Sequence, residues 1–339
     1  MRAVIVGGGY AAERHVDALR HLDDVEIAAI VGSSEERARA AAQRLGVGRW
    51  TADLAEALAD ASVDVVHVCA QKDMHLPLAG AALGAGKHVL CEKPLALDVA
   101  GAELLVELAA RSGRLAVLCH NYRFFPRIAA LRERVRGGDI GRPHLVRGSF
   151  LQDWLLLETD TDWRTDPARA GASRALSDIG TRWMDCAEIV SGQRIVSVTA
   201  RASRAHAGRG GEDQAALLLG FDGGLEGAVV VSQVAAGHEN DLEIAIDGAA
   251  ASASWRSNKP HELRLSRRGE EPQLLVGDLA VPNESRRLLV KAAYDALRDP
   301  SASSRRAVPL PTFADGLHQL RIVAAALESA GSGKVVAVP

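Results

Sequence analysis

The stretch Ala3-Val4-Ile5-Val6-Gly7-Gly8-Gly9-Tyr10-Ala11-Ala12 decides the fold. Four apolar residues read as a short buried strand, three glycines break it, and a helical pattern follows at once. In a G-x-G-x-x-A turn of this kind the first glycine makes the tight bend. The second lets backbone amides come close to a ligand, and the small last residue lets helix and strand pack closely. The start of the helix adds partial positive charge. Together these features predict a loop that cradles a pyrophosphate, with Gly7, Gly9 and Ala12 as its framework.

Outward from this loop the pattern alternates. Val25–Val31 is a second strand, and Ser33-Ser34-Glu35-Glu36 reads as a capping box that opens a helix to Leu45. Val63–Cys69 is a continuous apolar run, the mark of a central parallel strand. Leu76–Ala85 is helical, Val89–Cys91 is a strand, Asp98 caps a helix to Arg111, and Leu115–Leu118 closes the set. Alternating strands and helices predict a doubly wound α/β Rossmann domain over residues 1–120. Beyond residue 121 the rhythm changes. A helix follows Pro126, and Leu176–Ile189 has helical spacing. Strand-like segments then run at about 195–202, 214–220, 225–232, 242–247, 251–256 and 262–266, with Phe221-Asp222-Gly223-Gly224 as a hairpin turn. Helices near 285–297 and from Phe313 to about Ala330 close the chain. Residues 121–339 are expected to form an α+β domain with a large, mostly antiparallel open sheet that binds substrate and joins subunits.

Bulk properties exclude several classes. The chain has 339 residues, formal net charge −3, and 47 % hydrophobic against 24 % charged residues. That is a globular composition with no basic face for nucleic acid. No apolar run reaches the roughly 18 residues of a membrane span, and no signal-peptide pattern opens the chain, so a cytoplasmic protein is expected. Cys69, Cys91, Cys119 and Cys186 form no C-x-x-C pair and read as buried reduced thiols, with no metal expected. Only six of the 40 basic residues are lysines, so each lysine is informative.

One of them, Lys93, lies in Gly86-Lys87-His88-Val89-Leu90-Cys91-Glu92-Lys93-Pro94. This resembles the A-G-K-H-V-x-x-E-K-P signature of the Gfo/Idh/MocA oxidoreductases, the glucose–fructose oxidoreductase and inositol dehydrogenase family. Asn121-Tyr122-Arg123-Phe124-Phe125-Pro126 is similar to its N-x-R-F-x-P element. Trp163-Arg164 through Asp178-Ile179-Gly180 is similar to its W-R…D-I-G segment, and Phe313-Ala314-Asp315-Gly316 to its F-x-D-G. The resemblance implies hydride transfer between a nicotinamide and a secondary hydroxyl of a sugar or cyclitol, with dimers or tetramers formed through the C-terminal sheet. The expected cofactor residues are Gly7, Gly9, Tyr10, Ala11, Ala12, Ser33, Ser34, Arg37, Ala70, His75, Glu92, Lys93 and Asn121. The expected substrate residues are Lys93, Tyr122, Arg123, Trp163, Arg164, Asp178 and Arg182. The second strand ends in Val31-Gly32-Ser33 without the acid that bonds an adenosine ribose, so NAD is expected while NADP stays open.

Lys93, Asp178 and Arg182 are the expected catalytic residues. The family places a histidine four residues after the aspartate of D-I-G; here the residue is Arg182, which cannot act as a base because it keeps its proton. Lys93 is therefore expected as the base, helped by burial and by the cationic Arg182, with Asp178 paired to Arg182. Glu158, Asp160 and Asp162 precede this segment and would attract a cationic amino sugar such as an aminoglycoside, as a step in antibiotic biosynthesis. His75, His120, His238 and His261 are further hydroxyl-binding candidates. A non-catalytic NAD(P)-binding regulator of the same fold and an NAD-dependent glycosidase remain alternatives.

Overall fold

The computed structural model describes residues 1–166, 169, 171–279, 281–301 and 307–339. The chain forms two compact units: Met1–Asn121 with Pro282–Leu317, and Tyr122–Val281 with His318–Pro339.

The first unit is a six-stranded parallel sheet: β1 (Arg2–Val6), β2 (Glu26–Val31), β3 (Trp50–Thr51), β4 (Val65–Val68), β5 (His88–Cys91) and β6 (Ala116–Leu118). Its order, β3-β2-β1-β4-β5-β6, reverses direction at β1, which is the dinucleotide-binding topology. The strands are mostly apolar because helices cover a parallel sheet on both faces. Those helices are α1 (Tyr10–Leu19), α2 (Glu35–Leu45), α3 (Leu54–Ala59), α4 (His75–Gly84) and α5 (Val99–Ser112). Ser34, and not a Ser33–Glu36 box, caps α2: its side chain accepts from Arg37 N, while Glu35 turns away to accept from Ala52 N.

A single boundary at 120/121 does not describe this arrangement, because residues 282–317 belong with the first unit. The reason is helix α8 (Glu284–Arg298), which buries Leu289, Val290, Ala293 and Tyr294 and packs on α1. Three polar clamps hold it there. Asn283, at φ 61°, donates to Arg14 O and Asp17 Oδ2; Arg287 grips Asp17 through two bonds of 2.9 and 2.8 Å; Arg298 pairs with Asp24. Hydrogen bonds from Arg287 hold the Asp17 carboxyl down at about 2.

The second unit is built on a nine-stranded sheet. Its strands are β7 (Pro143–Leu151), β8 (Ile195–Ser203), β9 (Gln214–Phe221), β10 (Glu226–Ser232), β11 (Asp241–Gly248), β12 (Ser252–Arg256), β13 (Glu262–Ser266), β14 (Gln273–Val276) and β15 (Val336–Ala337). The order is β14-β13-β12-β11-β7-β10-β9-β8-β15, and every pairing is antiparallel except β7 with β10. Helices α6 (Pro126–Arg136), α7 (Thr181–Ser191) and the later part of α9 (Phe313–Ser332) share a core with one face of the sheet, around Trp183, Phe150, Ile244 and Ile322.

Strand β7 is central to this sheet, yet it is absent from the strands read in the sequence. Arg147-Gly148-Ser149 interrupts its alternation. Gly148 is required there: a Cβ would lie 1.9 Å from Glu243 O and 2.7 Å from Trp183 Nε1. Trp183 uses the space to donate to Glu243 O at 2.9 Å, tying α7 to the sheet.

Candidate active site

The phosphate loop of the first unit has the form its glycines require. Gly7 sits at φ 111°, and a side chain there would strike Cys69 O at 2.7 Å. Gly9 is different. It begins α1 without any side-chain cap, and a Cβ on it would meet nothing within 4 Å. Uncapped helix amides beside open backbone are what a pyrophosphate needs, so these residues fit a dinucleotide. Ala12 is fully buried against the sheet, Ala11 is half-buried, and Tyr10 is 71 % exposed with Arg14 over its ring. At the end of β2, Ser33, Ser34 and Arg37 are exposed, and Arg37 Nη1 donates to Ser33 Oγ at 3.2 Å.

Because space and not packing surrounds Gly9, Gly9→Val should leave thermal stability nearly unchanged. It should raise the Kd for NAD about tenfold or more by blocking the approach of the phosphates, as titration calorimetry would read. Unchanged affinity would show that the loop is only a turn.

Strand β5 ends in Cys91 and delivers Glu92-Lys93-Pro94 at the carboxyl edge of the sheet, where ligands of such folds bind. Lys93 is only 8 % exposed, and its backbone N–H donates to Glu92 Oε2 at 3.3 Å. Glu92 lies within a buried network. Arg286 pairs with it, His15 Nε2 is 3.2 Å from its Oε1, and Arg286 Nη1 is 2.8 Å from the same His15 nitrogen. His15 Nδ1 meets His67 Nδ1 at 2.6 Å, and His67 Nε2 reaches Tyr294 Oη at 3.0 Å. Burial alone would raise the Glu92 carboxyl, but Arg286 and then His15 outweigh it and hold it well below the usual carboxylate range. Burial lowers both histidines and raises the Cys119 thiol. His15, Glu92 and Cys119 bring potential metal-ligating atoms within 4.8 Å of one another, but the guanidinium of Arg286 is already bonded to two of these residues.

His75 lies 2.7 Å from Pro94 O and 3.1 Å from Ala70 O, one ring nitrogen to each. A neutral imidazole has one N–H, so His75 donates to one of these two carbonyls and lies between the loop after β4 and the loop after β5. Asn121 is buried and donates to Ser285 Oγ at 2.7 Å. Of this network the sequence points to Glu92 but not to Arg286, His15, His67 or Tyr294. Only two weak local signals hint at the rest: His15 on the apolar stripe of α1, and His67 inside Val65-Val66-His67-Val68.

In the second unit Leu176–Gly180 forms a π-helical turn that leads into α7. Such turns recur at functional sites. Asp178 lies on it, accepts from Gln233 Nε2 at 3.0 Å and is 3.6 Å from Arg164 Nε. Here the expected pairing of Asp178 with Arg182 is overturned. Arg164 comes from the preceding loop and takes the aspartate, while the Arg182 guanidinium lies over the Tyr122 ring, 5.4 Å from its centre. Arg182 Nε is sealed from solvent without an acceptor. Asp185, the other acid near Arg182 in sequence, belongs to Arg123, which binds it through two nitrogens in a buried pair. Arg123 is thus a brace for α7, and its guanidinium is committed to protein.

Trp163 underlies the Arg164 guanidinium at 4.3 Å. The acidic loop is largely committed as well. Asp160 accepts from Leu157 N at 2.7 Å; Asp162 accepts from Arg164 N and pairs with Arg164 Nη1 at 3.0 Å; Glu158 is exposed. His238 pairs with Asp241 at 2.8 Å, and His261 lies 3.8 Å from Glu262. His120 is buried.

A six-stranded parallel sheet with a Gly-rich turn after its first strand defines a dinucleotide-binding fold, joined in the chain to a unit with a mostly antiparallel sheet. The chain belongs to the Gfo/Idh/MocA family: residues 1–120 match its oxidoreductase domain with NAD-binding Rossmann fold, and residues 128–254 match a C-terminal domain of the same family. It is 30 % identical to D-apiose dehydrogenase of Paraburkholderia graminis over 67 % of this chain and 59 % of that protein. With levoglucosan dehydrogenase of Pseudarthrobacter phenanthrenivorans the figures are 28 %, 70 % and 66 %; with myo-inositol 2-dehydrogenase of Thermotoga maritima they are 29 %, 72 % and 72 %. The matched stretch thus spans less than two thirds of the first two relatives. A levoglucosan dehydrogenase solved with NADH and levoglucosan has the same fold, with a TM-score of 0.92, 24 % identity, and coverage of 100 % of this chain and 99 % of that one. Among the described residues no helix is long and apolar enough to cross a membrane.

Proposed function

We propose that this protein is an NAD-dependent dehydrogenase that oxidises a secondary hydroxyl of a sugar or cyclitol. The observation that carries the reading is Lys93, buried at the carboxyl end of β5 beside a carboxylate that another residue neutralises. Relatives that act on apiose, levoglucosan and inositol support it.

Bound NAD supplies the acceptor for the hydride that leaves the carbinol carbon. The rest of the work falls to side chains. Lys93 Nζ takes the hydroxyl proton as the C–H bond breaks. Glu92 fixes the lysine's backbone by accepting its N–H, and Arg286 pairs with Glu92. His75 joins the flanking loops and holds their spacing. Asp178 accepts a hydrogen bond from a substrate hydroxyl, and Gln233 and Arg164 keep it oriented. The commitment of Asp160 and Asp162 to their own loop weighs against an amino sugar as substrate. Association through the nine-stranded sheet into dimers or tetramers is part of the same proposal.

The test is reduction of NAD, followed by absorbance, across a panel of sugars, amino sugars, sugar acids and cyclitols. Saturable NADH formation with any of them supports the reading. Tight NAD binding without turnover on any of them overturns it.

A further inference from the structure

Resting on the dehydrogenase reading, we infer that the substrate carries an anionic oxygen group, a carboxylate or a phosphate ester, and that Arg182 is the residue that selects it.

The inference comes from how the charges around the π turn are shared. Asp178 is matched by Arg164 at 3.6 Å and by a hydrogen bond from Gln233; Asp185 is matched by Arg123 in a buried two-nitrogen pair; Asp162 is matched by Arg164 at 3.0 Å. These three acids share two arginines, Arg164 and Arg123. Arg182 does not have its anion. Among the described residues no carboxylate comes within salt-bridge distance of it, its Nε has no acceptor, and its guanidinium lies over the Tyr122 ring face. The residues outside the described set include no acid.

A half-buried guanidinium costs free energy unless it is paired. Stacking on an aromatic face satisfies the plane of the group but leaves its N–H edges unused. Those edges form a planar fork that matches carboxylate or phosphate oxygens two at a time. A neutral sugar hydroxyl accepts only one weaker bond and leaves the charge unmet. Of the acids of the preceding loop, which would repel an anion, Asp162 is paired with Arg164, Asp160 is half-buried and accepts from Leu157 N, and Glu158 is exposed. Arg182 follows Asp178 by four residues, so one short segment presents an acceptor for a hydroxyl and a donor fork for an anion. Those are the two recognition elements of a polyhydroxy acid or a sugar phosphate.

The experiment compares matched pairs with the full chain and NAD: D-glucose with D-glucuronate, D-galactose with D-galacturonate, and D-glucose with D-glucose 6-phosphate. The anionic member of at least one pair should have kcat/KM about tenfold or more above its neutral partner. Arg182→Met should reduce that ratio about tenfold to a hundredfold, mainly through KM for the anion, and Arg182→Lys should retain part of it. A merely structural role would lower both members alike and leave the ratio intact, which overturns the inference. Preference for the phosphate over the uronates identifies a phosphate ester as the source of the anion. Equal or better turnover of the neutral members overturns this inference and leaves the dehydrogenase standing. Absence of turnover with both members of every pair overturns this inference, and the wider panel of sugars and cyclitols then decides the dehydrogenase reading on its own.

Discussion

Lys93→Met should lower kcat/KM by about a hundredfold to ten-thousandfold while changing the affinity for NAD little. A positioned general base is worth about this much, and the amine is the atom asked to take the proton. Lys93→Arg separates charge from proton transfer: arginine keeps a cation at the position but does not give up its proton, so it should be nearly as inactive as methionine. Partial rescue of Lys93→Met by an added primary amine would place the missing function at Nζ. Retention of more than about a tenth of wild-type activity by Lys93→Arg would remove Lys93 from the role of base. The stability of the variants is a separate readout: the side chain is buried, and methionine fills a similar volume without placing an uncompensated charge there.

The sequence and the structure agree where information is local and diverge where it is not. Ala3–Val6 followed by Gly7-Gly8-Gly9 announces a parallel sheet and its phosphate loop because turn, strand and helix all lie within a dozen positions. Strand β7 escapes notice because its middle, Arg147-Gly148-Ser149, answers to Trp183 and Glu243, partners far away in the chain. The pairing of Asp178 fails for a related reason. Helical spacing nominates Arg182 as neighbour, but Arg164 arrives from a loop and takes the carboxylate first. The return of residues 282–317 to the first unit is likewise invisible to a reading that follows the change of rhythm near residue 121. It depends on Asn283, Arg287 and Arg298 finding acids on α1 and just after it. Periodicity reports which face of an element is buried. It does not report which distant cation reaches a given acid.

Arg286 shows how much a distant cation of this kind can carry. Removing it in Arg286→Leu should destabilise the protein by about 3–5 kcal/mol, because Glu92 is then left in a buried site with no full counter-charge. For a unit of this size that is a fall in Tm on the order of 10 °C. The dependence on pH identifies the cause. In the wild type the Glu92 carboxyl is depressed, so its contribution is present above the unfolded-state value of about 4.3 and is lost as pH falls. His15 and His67, lowered chiefly by burial, act in the same direction: their contribution is present above about 6.5 and is lost as the unfolded state takes up protons below it. Without Arg286, burial dominates at Glu92 and its proton affinity rises on folding. The variant should then lose stability as pH rises above about 4.3, so its deficit against wild type should be small near pH 4 and largest near neutrality. The double variant Glu92→Leu with Arg286→Leu should recover most of the loss at pH 7, since an apolar pair in place of a buried ion pair is often close to neutral. Activity should not recover with it, because Lys93 has then lost the carboxylate that holds its backbone N–H. A double variant no more stable than Arg286→Leu would show that Arg286 acts through packing and not through Glu92. A double variant with wild-type kcat would show that the network stabilises the unit without positioning Lys93.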